Sequence, residues 1–148
     1  MDPVQQLQTS LQERIKKNVE EIENLELLEK ALNELMSLIL IKKSDLKRQQ
    51  FDYEGIITKL IDELNDINND ELMNIMNVSD ENVALNERRA DIFAQLSGLQ
   101  SEILHIRKKL LSDRIEFERK AVEIDIIQVS KSQLIADNES MKTELTHF

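Results

Sequence analysis

From Leu85 to Phe148 apolar residues return at alternating steps of three and four, and they hold one heptad register over the whole stretch. With Leu85 as d, the d positions are Leu85, Ile92, Leu99, Ile106, Asp113, Lys120, Ile127, Leu134, Met141 and Phe148. The a positions are Arg89, Leu96, Ile103, Leu110, Phe117, Ile124, Lys131, Asn138 and Leu145. Fourteen of these nineteen are apolar, a regularity that random placement does not produce, so the segment is predicted to be a coiled-coil helix.

Residues 4–67 hold a register of their own, with d at Val4, Leu11, Asn18, Leu25, Leu32, Ile39, Leu46, Tyr53, Leu60 and Ile67. The matching a positions are Gln8, Ile15, Ile22, Glu29, Met36, Lys43, Gln50, Ile57 and Leu64, so this arm also scores fourteen apolar of nineteen. Each arm would span roughly 96 Å if wholly helical.

The registers do not join, because Ile67 and Leu85 are both d positions yet lie 18 residues apart, two heptads plus four. The stretch between them is rich in Asn and acids, which favour caps and turns. The expected organisation is a first arm over 1–67, an acidic connector over 68–84 and a second arm over 85–148. Within the connector, Asp70 is expected to cap a one-turn helix carrying Leu72, Met73, Ile75 and Met76, and Ser79 to cap the second arm. That apolar turn either docks a partner or closes the end of its own bundle. Asp2 before Pro3 is a helix start, and Gly55 beside Phe51 and Tyr53 marks 47–55 as the place for a kink or a third-helix break. The fold class is all-α: long coiled-coil helices forming an αα-hairpin or a bent helix pair within a multi-helix bundle. A continuous rod with a stutter is the alternative to the hairpin.

A two-stranded coil needs only a and d, so apolar residues elsewhere point to further contacts. In the first arm Leu7, Leu28, Leu35 and Ile56 fall at g, Val19, Leu40 and Ile61 at e, and Leu35, Leu38, Ile39, Leu40 and Ile41 make nearly every face apolar. In the second arm Leu104, Leu111, Ile115, Val122, Ile126 and Val129 form a stripe opposite the seam. The expected partner-binding set is Leu35, Leu38, Ile39, Leu40 and Ile41 of the first arm with Leu96, Leu99, Ile103, Ile106, Leu110, Leu111, Ile115, Phe117, Val122, Ile126 and Val129 of the second. One hairpin cannot cover both stripes, so a bundle of three or four helices is expected.

Identical second arms paired in parallel would place Glu102 by Arg107 and Asp137 by Lys142, but also Lys109 by Arg114, and would bury Asp113, Lys120 and Lys131 in the seam. A different chain supplying opposite charges therefore becomes the expected partner. Asn18 and Asn138, at core positions, either fix register or sit at frayed ends.

Composition narrows the function. Two glycines, one proline and no tryptophan fit long helices, and no cysteine means no disulfide or thiolate metal site, as in a reducing compartment such as nucleus or cytoplasm. The beginning of the chain lacks a secretory signal and no segment has the apolar length of a membrane span. Net charge is −10, divided as 9 Lys/Arg against 14 Asp/Glu over 1–67, 0 against 4 over 68–84 and 10 against 11 over 85–148. Most of the surface would repel a phosphate backbone, which leaves nucleic acid only the short runs Lys42, Lys43, Lys47, Arg48 and Arg107, Lys108, Lys109. His105 and His147 lack the spaced second ligand of a zinc site, and no paired-carboxylate, glycine-loop or nucleophile motif is present, so neither enzyme activity nor a cofactor is expected.

In outline the chain resembles the small acidic helical subunits of eukaryotic assemblies such as kinetochore linker complexes, Mediator-type regulators and membrane tethers, a likeness carried by the heptads over its whole length. The resemblance implies a non-catalytic coiled-coil scaffold subunit of a hetero-oligomeric assembly, with a kinetochore-type linker as its first setting. A homo-oligomeric coiled-coil adaptor or tether, for transport or autophagy or of Mediator type, displaying the acidic connector, is the other reading.

Overall fold

The structure, a computed structural model, describes residues 2–73 and 80–148, with side chains described for 2–70 and 83–148. Two long helices account for nearly all of them: α1 over Pro3–Met73 and α2 over Asp80–Thr146. They pack together as an antiparallel αα-hairpin, so the bent-rod alternative is set aside.

The start of α1 follows from its first residues. Pro3 supplies a fixed helical φ at a position whose N–H has no acceptor, and Asp2 caps the turn: its Oδ1 accepts from the Val4 N–H at 3.2 Å and its carbonyl from the Gln6 N–H at 3.0 Å. α1 then runs unbroken through residues 47–55, so Gly55 interrupts nothing. It also continues past 67, which places Asp70 inside a helix rather than at the cap of a new one. The expected cap at Ser79 and the connector residues Ile75 and Met76 lie outside the described residues. The alternating run Val122 to Ile126 is helical, as the surrounding heptads require.

The chain divides into two compact units. The first comprises Met1–Leu40 and Ile115–Phe148. Its core is the seam between the two arms, where Leu32, Ile124 and Ile127 are buried with Leu25 and Met36 packed against them, and where Leu11 and Met141 are also buried. The second comprises Ile41–Arg114. There Leu60, Ile67 and the fully covered Ile92 form the core, with Leu64, Leu85, Leu96 and Leu99 packed on it, and Ile103 and Ile106 buried further along.

In both units the d residues of α1 meet the a residues of α2, and the converse, as antiparallel coils require. Asn18 pairs with Asn138, and Leu32 packs with Ile124. Leu60 and Leu96, like Leu64 and Ile92, belong to one cluster. Each residue advanced on α1 is matched by one residue retreated on α2, so one register describes each unit. The equal length of the two heptad arms is the sequence counterpart of that register.

Candidate partner-binding surface

The polar residues of the seam are the first to be explained. Lys131, at an a position, sets its Nζ 2.7 Å from Oε2 of Glu29, an a residue of α1, and both side chains are about one-fifth exposed. Gln128 donates to the other oxygen of Glu29 at 3.3 Å. The Lys131 ammonium and then the Gln128 amide hold the Glu29 carboxyl below its ordinary range. Lys120 reaches Glu116 one turn back at 3.4 Å. Asn138 is buried, accepts from the Asn18 amide at 3.0 Å and donates to the Ile15 carbonyl at 3.4 Å. It is therefore a built polar layer and no frayed end. Asp113 keeps one buried carboxylate oxygen with no hydrogen-bond partner.

Of the seam charges, Lys131 finds its complement on the chain's own α1, Lys120 pairs within α2, and Asp113 keeps an oxygen without a hydrogen-bond partner; the uncharged Asn138 also finds its partners on α1. A parallel copy of the same arm offers Lys131 no such complement. An Arg88–Glu63 pair makes the same point in the second unit, with two contacts at 2.6 and 2.8 Å between residues that both occupy g. Residues at g face one another across antiparallel helices, whereas parallel pairing sets g against e. For this pair the signal was present in the sequence as opposite charges at nearly equal distances from the connector, Glu63 five residues before residue 68 and Arg88 four after residue 84.

The structure separates the expected partner-binding residues into two groups. Ile103 and Ile106 are buried, and Ile39, Leu96, Leu99, Leu110 and Phe117 are partly buried, all on the seam side where the other arm of the hairpin covers them. Leu35, Leu38, Leu40 and Ile41 on α1, and Leu111, Ile115, Val122, Ile126 and Val129 on α2, remain exposed. So does Leu104. Leu27 and Phe51, 68% and 74% exposed, fall outside the expected partner-binding set because neither belongs to a stripe.

The α2 residues that stay exposed sit in shallow relief. Val122, Asp125, Ile126, Val129 and Ser130 line one groove, and Asp125, Gln128, Val129, Ser132, Gln133 and Ala136 line its neighbour. A third groove, lined by Glu26, Glu29, Lys30, Asn33, Glu34, Ser37 and Lys131, is polar and follows the seam. These are troughs of a helix-packing surface: ridges of side chains with open grooves between them, suited to another helix and not to a small molecule.

Among the described residues no group of His, Asp or Glu is placed to hold a metal ion. No described helix is long and apolar enough to cross a membrane. The basic side chains Lys42, Lys43, Lys47, Arg48, Arg107, Lys108 and Lys109 are exposed. The antiparallel register sets the two runs at one level in the second unit. Comparison with family models, with curated proteins and with solved structures found no match to this chain.

Proposed function

We propose that the chain is a non-catalytic coiled-coil scaffold subunit that contributes its hairpin to a multi-helix bundle in a larger hetero-oligomeric assembly. The observation that supports this reading is the apolar surface left uncovered after the hairpin has closed. Leu38, Leu111, Val122, Ile126 and Val129 are each more than half exposed although an entire second helix is already packed on the chain. Burying each such side chain is worth roughly 1.5–3 kcal/mol, and apolar strips of this length are rare on proteins that act alone. The strips lie on helical faces, so the complementary object is another helix.

Crosslinking mass spectrometry on material purified from the source tests the proposal, with kinetochore-type linker assemblies the first setting to examine. The expected result is crosslinks from Lys30, Lys42 and Lys108 to helical segments of other proteins, together with links inside the hairpin. Recovery of the chain as a homogeneous, cooperatively melting species free of any other protein would sink the scaffold-subunit reading.

A further inference from the structure

The outer stripe of α2 does not follow the heptad of its seam. Leu104, Ile115 and Ile126 recur every 11 residues, and so do Leu111 and Val122. An 11-residue repeat turns at about 3.67 residues per turn and favours a partner helix in a slight right-handed supercoil. One helix therefore carries two stripes of different period, the heptad one spent on α1 and the 11-residue one free.

Charge along the same helix is just as uneven. Beside the stripe itself, Arg107 and Lys108 lie toward one end and Glu118 and Asp125 toward the other, with Arg119 between them. A face that is basic at one end and acidic at the other is complementary to itself when reversed. We infer that the occupant of the α2 outer stripe is the α2 of a second copy, packed antiparallel about a two-fold axis, within the bundle proposed above and as its central pair of helices.

The register follows from the stripe. Setting Leu111 opposite Ile126 of the second copy also sets Ile115 opposite its Val122, and by symmetry each pair occurs twice. The aliphatic stem of Lys108 then lies over Val129 of the second copy, its ammonium free to reach the rim. On one flank Arg107 approaches Asp125 of the second copy, and on the other Arg119 approaches its Glu116 and Glu123. Opposite charges meet on both rims away from the two-fold axis, beside which Arg119 and Glu118 each lie near their own counterpart. The residues involved are exposed in the single chain, Leu111 at 59%, Ile115 at 48%, Val122 at 57% and Ile126 at 60%. Their removal from water drives the association, and the rim charges choose the direction.

Sedimentation equilibrium of the full chain, with the single variants R107D and D125R and the combined variant, tests the assignment. Arg107 and Asp125 are too far apart on their own helix to meet within one copy, so restoration by the combined variant reports contact between copies. The wild-type chain is expected to be a dimer that weakens with added salt. Each single swap, counted twice by symmetry, weakens it by about tenfold, and the combined variant recovers it. Circular dichroism, unchanged across the four proteins, separates this from loss of fold. A wild-type chain that stays monomeric at every concentration, or a combined variant no tighter than the singles, overturns the inference while leaving the scaffold reading to its own test. A dimer that recruits no other protein does the reverse.

Discussion

The amide of Asn18 donates to the amide oxygen of Asn138 at 3.0 Å from the opposite arm, 120 residues away in sequence, within an otherwise apolar stretch of seam. Asn138 is 5% exposed. Its own Nδ2 reaches the Ile15 carbonyl at 3.4 Å. Only one alignment of the arms satisfies both amides: a heptad shift one way sets Asn18 against Leu145 and Asn138 against Leu25, and the other way sets Asn18 against Lys131 and Asn138 against Leu11. Replacing Asn138 with Leu is expected to cost about 1–3 kcal/mol, because Asn18 is then left without its acceptor. The paired N18L and N138L substitution returns to wild-type stability or above while admitting shifted registers. Urea denaturation of the four proteins as a double-mutant cycle gives the coupling, and a single substitution without effect argues against the layer.

Ile92 and Ile126 are the same residue type on the same helix with opposite environments, 0% and 60% exposed. Ile92→Ala opens a cavity between Leu60 and Ile67 and is expected to lower stability by about 2–5 kcal/mol. Ile126→Ala in the dilute chain, where no second copy covers it, stays within about 0.5 kcal/mol. Equal destabilisation by the two would mean that the outer stripe is already covered in the isolated chain.

Acid should loosen the hairpin through two carboxylates. The Lys131 ammonium and Gln128 amide keep Glu29 ionised below the ordinary glutamate value of 4.5, and the Arg88 guanidinium does the same for Glu63. A carboxyl whose folded-state value is lowered gives its full contribution above its unfolded value and loses it as pH falls through the folded one. Melting temperature should therefore hold steady down to about pH 5 and then decline. The combined E29Q and E63Q variant should start lower and decline less steeply. Both pairs are partly open to water, so the difference is modest and shrinks in salt. A decline as steep in the variant as in the wild type would place the acid sensitivity elsewhere.

Gly55 and Gly98 sit inside helices with nothing within 4 Å of where a Cβ would stand. Neither has a positive φ. Alanine at either position should raise stability by about 1 kcal/mol through helix propensity alone, and the two gains should add. Thermal melts of the singles and the pair check this, and a loss at Gly98 would reveal a contact that the hairpin does not supply.

The heptads made the helices and the seam legible, because a core-facing period is written into residue type at every turn. Which arm pairs with which was harder to see. Lys131 looks like a defect when matched against a parallel copy and like a complement when matched against Glu29 on the reversed first arm, and Asn138 finds its partner there in Asn18. The uncovered faces could be anticipated from Val122, Ile126 and their neighbours, since apolar side chains off the seam have nowhere to go in two helices. Asp70 was misread as a cap because a local preference for caps yields to a helix already propagating through it. No periodicity identifies an occupant, because the same stripe fits any helix of matching charge.

The hairpin pairing has a kinetic corollary. Sequence separation between partners rises from 25 residues at Glu63 and Arg88 to 120 at Asn18 and Asn138. Once the near pair has formed, each later pair closes a loop only slightly longer than the one before, so the two arms can zip outward by small steps despite their distant ends. Misalignment at the first turns would be carried along the whole length, and it would be discovered only when the two asparagines fail to meet. Asn18 and Asn138 are thus expected to act as a late proofreading step in folding, rejecting hairpins that began in the wrong register.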